Sequence, residues 1–536
     1  MLTTSNILKN RARLVLAGAV LAASLTACKD DEITEPGSHN WEINGNTIVN
    51  IKPERKKMLR NPMTGWVMYA GIGDGLDDRF WEVYDNFPSA VGNIKVSDYS
   101  NVLYVRGAWS DFNPEEGKYI WNDGQVDSKP AKRYKMLVDE ALRRGMKLAF
   151  TFVVDSQDKH YDFTPKYVKD AGAKGFVTTT GSVQVWSPYC DDPIFQEKYE
   201  QFVRDFAAKY NDPNVTEFIS GFGMGKWGES HTVWYSTGDN EPREAVIDWV
   251  SDVYTKYVTK VPLVINYHRC LMLRDGFSAS VVNPRTEPVL LKLIEKGYSL
   301  RHDAFGMKTY YTTWERGFAA SQRYKRPIIM EGGWVEGSHG GSIKGDGYAN
   351  YAEVRQGEYN EGKGANVNMM DLRYSKNTGT SETHSWFNAA YNLVEEFIAE
   401  GGYRLYPDKI SLPTTVSGTG NATFVHRWSN LGWGYCPTNI PQWNQKYKVA
   451  FALLDKTTSQ PVKIYVDETP CLNEWIKGKP STYEFTCNLG GVTPGSYTWA
   501  VGIVDTTQDN KIGIYISAKG DITEEGWVKL SDVNVN

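Results

Sequence analysis

The chain lacks long hydrophobic runs and an excess of charge of either sign. A membrane-spanning helix needs roughly 18 consecutive apolar residues, and no stretch beyond the first 25 residues has them. The 536 residues include 59 basic and 64 acidic side chains, for a net charge of -5. Because no broad positive field results, we expect no nucleic-acid partner.

Cysteine is also scarce, with six residues and no C-x-x-C spacing. Neither a zinc site nor a redox pair is therefore indicated. No H-x-x-x-H or H-x-H spacing occurs either, and we expect no metal and no cofactor. Cys471 and Cys487 could pair in an oxidising compartment, a point that the sequence leaves open.

Aromatic residues are abundant, with 18 Trp, 32 Tyr and 20 Phe. Such rings suit wet binding surfaces, where the C–H faces of sugars stack on them, but they also fill the cores of large domains. The composition therefore admits a glycan-binding protein without requiring one.

The N-terminus has the features of a lipoprotein export signal. Lys9, Arg11 and Arg13 precede an apolar run over residues 14–25, which ends in LTAC at residues 25–28. This pattern predicts a signal peptide over residues 1–27 and lipidation at Cys28. The following KDDE resembles the acidic tag of lipoproteins on the outer face of the outer membrane, although charge runs are more often solvated surface. We expect a surface-exposed, lipid-anchored protein with a polar tether over residues 28–52.

Short apolar runs then alternate with amphipathic helical patterns as far as residue 402. The eight strand candidates are residues 65–71, 101–109, 146–154, 215–223, 262–268, 303–311, 326–334 and 366–373. Repeated alternation of this kind predicts parallel strands with crossover helices. Eight repeats favour an α/β fold, a (β/α)8 TIM barrel, over residues 53–402.

Beyond residue 403 helical periodicity disappears and short alternating runs follow, separated by Pro, Gly, Asn and Asp. This pattern predicts an all-β, immunoglobulin-like sandwich over residues 403–536. The sandwich could bind glycan or cap the barrel, and capping is favoured because it holds no recognisable ligand-binding constellation.

The stretch SGFGMGKWGESH, residues 220–231, matches G-x-G-x-x-G after a strand. A dinucleotide site needs a helix that starts at these glycines. Here the chain continues with aromatic and polar residues that have no helical periodicity, so no nucleotide cofactor is expected.

Two acids lie where an active site would form in a barrel. Glu229 follows the fourth strand candidate and Glu331 ends the seventh. Strands four and seven face each other across an eight-stranded barrel, so both carboxyl groups would reach the mouth at its carboxyl end. Two facing carboxyl groups are what glycosidic bond cleavage requires.

At these residues the chain resembles the clan A glycoside hydrolases, and over its length it is similar to uncharacterised surface lipoproteins with a barrel and a sandwich. The resemblance implies that Glu229 is the acid/base and Glu331 the nucleophile. It implies that Arg106 and a strand-six tyrosine, Tyr310 or Tyr311, hold the nucleophile. The segment WSDFNPEEGKYIW, from Trp109 to Trp121, is similar to a clan A β-galactosidase-like motif, but Asn113 replaces its acid.

One position departs from the clan A pattern. Gly228 stands where an Asn usually binds the 2-hydroxyl of the sugar. Either another side chain such as His268 makes that contact, or the substrate differs there, or the protein binds without cleaving.

Other side chains are candidates for supporting roles. Trp186, Trp227, Trp334 and Trp386 are expected on strand-end loops, as sugar platforms or as packing residues. His231 and His268 are expected to shape the site by hydrogen bonding. Asp371 and Arg373 are interpreted as a structural ion pair.

The sequence thus predicts a retaining glycosidase that acts on an oligo- or polysaccharide. In this hypothesis Arg106 keeps Glu331 ionised, while Trp227 and the neighbouring charge keep Glu229 protonated. The first alternative is a non-catalytic glycan-binding lipoprotein on a decayed barrel. The second is an interaction scaffold in which the sandwich carries the function.

Overall fold

The computed structural model describes residues 39–73, 78–276, 282–333, 335, 344–373 and 382–536. The predicted signal peptide, Cys28, the acidic run after it and Trp334 lie outside these ranges. Within them no helix is both long enough and apolar enough to cross a membrane.

Strands from the first part of the chain are β1 (Asn46–Asn50), β2 (Lys52–Pro53), β3 (Gly65–Gly71), β4 (Phe87–Ser89), β5 (Gly92–Ile94), β6 (Ser100–Ala108), β7 (Lys147–Val153), β8 (Gly175–Thr180), β9 (Val183–Pro188), β10 (Thr216–Ser220), β11 (Leu263–Asn266), β12 (Tyr298–Phe305), β13 (Ile328–Gly332) and β14 (Met369–Arg373).

The helices are α1 (Phe80–Asp85), α2 (Trp109–Phe112), α3 (Lys129–Arg143), α4 (Lys166–Asp170), α5 (Pro193–Tyr210), α6 (Arg243–Tyr257), α7 (Thr286–Glu295), α8 (Thr313–Ser321), α9 (Tyr351–Gly364), α10 (Thr383–Ala389) and α11 (Tyr391–Glu400).

Eight of these strands close into a barrel in the order β3-β6-β7-β10-β11-β12-β13-β14, with β14 pairing to β3. Every neighbouring pair is parallel. Strands buried on both faces form because their residues are nearly all apolar, as in KLAFTFV of β7. The predicted (β/α)8 barrel is confirmed.

The sixth barrel strand differs from the prediction. It spans Tyr298–Phe305, whereas the sequence interpretation placed it at residues 303–311. Tyr310 and Tyr311 therefore do not end this strand but lie in the turn before α8. The polar triplet at residues 301–303 interrupts the apolar pattern, and these polar side chains are buried inside the molecule.

The C-terminal strands are β15 (Leu405–Pro413), β16 (Thr415–Val416), β17 (Asn421–Asn430), β18 (Tyr447–Asp455), β19 (Pro461–Asp467), β20 (Ser481–Asn488), β21 (Gly495–Asp505), β22 (Lys511–Ile514), β23 (Ala518–Lys519) and β24 (Val528–Val535). They build one sheet in the order β1-β15-β17-β20 and a second in the order β16-β24-β21-β18-β19, with β22 on β21. Large rings such as Trp428, Trp475 and Trp499 are fully buried. The predicted β-sandwich is confirmed.

Part of the expected tether belongs to the sandwich. Residues 46–50 form β1, an edge strand that pairs antiparallel with β15, and β2 pairs with β23. Short polar segments of this kind are recognisable as strands only through their partners, which are more than 350 residues away. Cys487 is a buried free thiol, so the Cys471–Cys487 disulfide considered from the sequence does not form.

The sandwich packs on the amino-terminal end of the barrel. Tyr403 Oη donates to the carbonyl of Pro62, just before β3, at 2.6 Å. Asn368 Nδ2, just before β14, donates to the carbonyl of Tyr435 at 2.9 Å. The core side chains of the sandwich form one apolar cluster with barrel residues such as Phe218 and Ile329. The opposite, carboxyl end of the barrel is left for the site.

Candidate active site

The glycine-rich stretch after β10 is a tight loop that turns the chain back over the barrel. Gly225 has φ 75° and ψ −178°, a conformation open to glycine alone. A Cβ there would overlap the carbonyl oxygen of His231. That carbonyl accepts from Lys226 N at 2.9 Å, and Ser230 N donates to the carbonyl of Met224 at 3.0 Å. The glycines thus allow the loop to place Glu229 and His231 at the barrel mouth.

Glu229 is held by strands two and five. Its Oε1 accepts from Arg106 Nη1 at 3.0 Å, and its side chain is 13% exposed. Its main-chain carbonyl accepts from His268 Nε2 at 2.9 Å and from Asn266 Nδ2 at 3.3 Å. Arg106 also donates to the carbonyl of Trp227. These bonds fix both the main chain and the carboxyl group of Glu229.

Glu331, at the end of β13, is held by three arginines. Its Oε1 accepts from Arg373 at 2.6 Å, its Oε2 contacts Arg301, and Arg106 Nη1 lies 3.9 Å from Oε1. The side chain is only 5% exposed. The expected partner Arg106 is therefore bound more closely to Glu229 than to Glu331, and Arg301 and Arg373 take the role predicted for it.

The structure brings the two predicted acids together. Oε1 of Glu229 and Oε1 of Glu331 lie 3.0 and 3.9 Å from the same Arg106 nitrogen, so these two oxygens are at most about 7 Å apart. The acids reach this position from the loop after strand four and from the end of strand seven, as closure of the barrel predicts.

The protonation expected for Glu229 is wrong. Burial raises its pKa, but the charge of Arg106 and hydrogen bonds from His231 and Asp303 outweigh burial and hold the pKa well below its usual range. The prediction assigned Arg106 to Glu331 and so omitted a cation in contact with Glu229. At neutral pH Glu229 is ionised in this arrangement.

Asp303 is a third carboxyl group at the mouth, which the sequence analysis did not single out. It lies near the end of β12, and a carboxyl oxygen lies within 4.8 Å of Glu229 and His231. Burial raises the pKa of Asp303 well above its usual range, and the negative charge of Glu229 adds to this effect. The sequence could have indicated Asp303 if residues 303–305 had been taken as the end of the sixth strand and not as its start.

The two predicted histidines are engaged within the protein. His268 Nε2 donates to the Glu229 carbonyl, and its Nδ1 lies 3.2 Å from Cys270 Sγ. Burial lowers the pKa of His268 to about 3, so the ring is neutral. His231 Nδ1 bonds Thr232 Oγ1 at 2.9 Å, and its Nε2 lies 3.6 Å from Glu229. His268 therefore positions the backbone of Glu229.

Gly228 has φ 72°. A Cβ there would lie 3.2 Å from Val153 Cγ2 and 3.4 Å from the Phe152 carbonyl, so it would point at β7 and not into the mouth. Gly228 is therefore required by the positive φ of this loop, where a larger residue would be strained.

Of the candidate aromatic platforms, Trp227 alone is partly exposed among those the structure describes. Its Nε1 donates to Asp158 at 2.9 Å, and Lys226 Nζ lies 4.4 Å from its ring centroid. Trp386 and Trp109 are both at most 1% exposed, so each packs in the core and neither is a sugar platform. Trp386 packs edge-on against Trp66.

Trp186 is 6% exposed on β9. Tyr311 is buried and its hydroxyl lies 3.2 Å from that of Tyr267, so it does not hold the nucleophile as predicted. Tyr310 is half-buried beside α9. Asn113 donates to the carbonyls of Glu115 and Lys118 and accepts from Tyr167, which orders the loop after α2.

Asp371 supports the strand that carries Glu331. Its Oδ1 accepts from Gly332 N at 2.8 Å, and its Oδ2 is 3.8 Å from Arg373 Nε. Behind Gly332 lies the buried Glu358, which would overlap a Cβ at that glycine. Burial raises the pKa of Glu358 to about 7. The predicted Asp371–Arg373 pair exists, but Arg373 bonds Glu331 more closely.

Glu229, His231 and Asp303 are near enough to one another to be considered for a cation. The guanidinium of Arg106 already neutralises Glu229 at 3.0 Å and would repel a metal ion. We assign none of these residues as a metal ligand.

No family model matches the chain, and no curated protein matches its sequence. Solved structures with a similar fold include the exo-beta-1,4-mannosidase of Opitutaceae bacterium strain TAV5, at 12% identity and a TM-score of 0.38. That alignment covers 65% of this chain and 62% of the mannosidase, which is less than two thirds of its length.

Two further structures align over nearly their whole length. Endo-glycoceramidase II from Rhodococcus sp. has 11% identity and a TM-score of 0.36, over 80% of this chain and 99% of that one. An endo-1,4-beta-xylanase from Caldicellulosiruptor owensensis has 12% identity and a TM-score of 0.35, over 64% and 99%.

Proposed function

We propose that the protein is a retaining glycoside hydrolase that acts on glycans at the bacterial cell surface, with Glu331 as nucleophile and Glu229 as acid/base. One observation carries the proposal: two largely buried carboxyl groups, from strands four and seven, meet at the same Arg106 nitrogen at the carboxyl end of the barrel. Active sites of (β/α)8 enzymes lie at this end.

The contacts of Glu331 suit a nucleophile. Arg301 and Arg373 orient its carboxylate and favour its ionised form. In the first step this carboxylate attacks the anomeric carbon, while Glu229 passes a proton to the leaving oxygen. In the second step water attacks the glycosyl ester and gives its proton to Glu229.

Retention requires the two carboxyl groups to lie about 5 to 5.5 Å apart, whereas inversion requires about 6.5 to 9.5 Å. The contacts with Arg106 limit the distance between these two carboxyl oxygens to about 7 Å, which excludes most of the inverting range. This upper limit includes the retaining distance, and retention in the proposal follows from the role of Glu331 as nucleophile.

The cellular location in the proposal rests on the sequence. The basic and apolar N-terminal segment followed by LTAC supports export and lipid attachment at Cys28. A lipid-anchored enzyme would meet glycans outside the cell without a membrane-spanning helix.

A second candidate is a glycan-binding protein without turnover. It is favoured by the lowered pKa of Glu229, because an ionised carboxylate has no proton to give to a leaving oxygen. This candidate uses the same mouth and the half-exposed Trp227.

A screen of aryl glycosides and polysaccharides distinguishes the two candidates. If turnover is found, Glu331→Gln and Glu229→Gln should each remove most of it, about 10²-fold or more for the acid/base change. A 2-fluoro glycosyl donor should label Glu331. The matched control is Glu217→Gln, a buried acid at the closed end of the barrel that bonds the backbone of Met63. Glycan affinity with no turnover would instead favour the binding protein.

A further inference from the structure

We propose that Asp303 shares a proton with Glu229, so that the two carboxyl groups form one proton-donating pair at the barrel mouth. The inference rests on the proposed glycosidase function for its chemical role. The shared proton itself is a property of the resting protein and is testable without substrate.

Barrel closure brings the two groups together. Asp303 comes from β12, the sixth barrel strand, and Glu229 from the loop after the fourth. A carboxyl oxygen of Asp303, one of Glu229 and a ring nitrogen of His231 all lie within 4.8 Å of one another. The Asp303 side chain is 3% exposed, so water cannot solvate its charge.

Among the residues that the structure describes, Asp303 forms no ion pair with an arginine or a lysine, and the nearby charge of Arg301 offsets only part of the cost of its burial. The arginines at the mouth form their ion pairs with Glu229, Glu331 and Asp371. His302 Nδ1, 3.6 Å from Asp303 Oδ1, accepts from the N–H of Ala304 and therefore carries no proton there.

Within the described residues, Oδ1 of Asp303 is buried and receives no hydrogen bond from a conventional donor. A buried carboxylate with no ion pair and one oxygen without a donor is costly, and such groups keep a proton instead. A proton between Asp303 and Glu229 removes this cost, because the acid then donates to the carboxylate beside it.

The surrounding charges decide where the proton rests. Burial and the charge of Glu229 raise the pKa of Asp303, whereas Arg106 lowers that of Glu229. At rest Asp303 is therefore the acid and Glu229 the carboxylate. The titratable and charged groups around the pair are Tyr69, Arg106, Lys159, His231, His268, Arg301, His302, Glu331 and Arg373.

The pair resolves the difficulty posed by an ionised Glu229. In the first step a bond forms between Glu331 and the anomeric carbon, and the bond from that carbon to the leaving oxygen breaks. Asp303 passes the shared proton to Glu229, and Glu229 then gives that proton to the leaving oxygen. Glu331 loses its charge in the ester while the pair gains one, so the net charge of the site is unchanged.

The second step restores the resting state. Water adds its oxygen to the anomeric carbon, the ester bond to Glu331 breaks, and one proton of the water returns to the pair. Asp303 acts only through Glu229 and is therefore a positioning residue that stores the proton.

The test is Asp303→Asn, which keeps the volume and an N–H donor for Glu229 but has no transferable proton. For glycosides with alkyl leaving groups we expect kcat/KM to fall by about 10²-fold or more. For dinitrophenyl glycosides, which need no proton, kcat/KM should change little. For the alkyl glycosides, the basic limb of the pH profile of kcat/KM should move to lower pH. An equal loss for all leaving groups would mean a structural role and overturn the proposal.

A matched control is Asp155→Asn at the end of strand three. This buried carboxylate bonds Gln157 and Ser187, so its replacement should not make the rate depend on the leaving group. A leaving-group effect of the same size in this control would also overturn the proposal.

Infrared difference spectra separate this inference from the proposed function. At pH 8 the wild-type protein should show the carbonyl stretch of a protonated carboxylic acid that Asp303→Asn lacks and Asp155→Asn keeps. If Asp303→Asn lacks the band but the wild type turns over no glycoside, the shared proton is supported and the glycosidase proposal fails. If turnover is found and the band is unchanged in Asp303→Asn, the shared proton is refuted.

Discussion

Replacement of Gly225 by alanine tests whether the glycine-rich loop is what positions Glu229. Gly225 has φ 75° and ψ −178°, where a residue with a Cβ is strained by about 1 to 3 kcal/mol. Its Cβ would also overlap the carbonyl oxygen of His231, and relief of such an overlap by backbone shifts costs about 1 to 3 kcal/mol. We expect Gly225→Ala to reduce the free energy of unfolding by about 2 to 6 kcal/mol.

Gly238 is a matched control in the same connection between β10 and α6. It has φ 80°, and a Cβ there would meet nothing within 4 Å. Gly238→Ala therefore carries the strain of a positive φ without the overlap, about 1 to 2 kcal/mol.

The measurement is urea denaturation of both variants and of the wild type, followed by tryptophan fluorescence. If the two variants lose the same free energy to within about 0.5 kcal/mol, the overlap with His231 has no energetic effect and the reasoning is refuted. In that case the loop would be free to adopt another path, and the position of Glu229 would need another explanation.

Two further predictions concern charge. Arg106→Met removes the cation that contacts Glu229 at 3.0 Å, so the pKa of Glu229 should rise toward its usual range. The basic limb of the pH profile of kcat/KM should therefore move to higher pH. The control Arg243→Met removes a buried arginine bonded to Leu271 and Thr286 and should leave the profile unchanged. Equal profiles for the two variants would contradict the assignment of Arg106 to Glu229. The folded-state pKa of Glu358 is raised to about 7 from 4.5, so the folded state binds the extra proton and stability falls as pH rises through 7. Between pH 8 and pH 5.5, the free energy of unfolding of the wild type should rise by about 2 kcal/mol relative to that of Glu358→Gln, as measured by urea denaturation. A difference that stays constant with pH would show that Glu358 is ionised throughout.

The location of the site was predictable because it follows from strand order. Glu229 and Glu331 each come directly after an apolar run, and barrel closure places the ends of strands four and seven opposite each other. The sequence carries this information locally, in the number and order of its strands.

The partners of the two acids were not predictable. Arg301 and Asp303 lie in one strand whose polar residues interrupt the apolar pattern by which a strand is predicted. Which acid each arginine binds depends on side-chain positions that the sequence pattern does not specify. Arg106 was assigned to Glu331, yet it lies closer to Glu229. That difference of less than 1 Å reverses the protonation predicted for Glu229.

By itself the sequence determined the alternation of strands and helices, the change to a β-sandwich after residue 403 and the two acids at strand ends, because apolar periodicity and strand order are local properties of the chain. The tertiary structure decided which tryptophans are buried, that residues 46–50 join the sandwich, and how three arginines and three carboxyl groups pair at the mouth. These outcomes depend on contacts between residues far apart in the chain and on burial, which sets both the cost of a charge and the place of a proton.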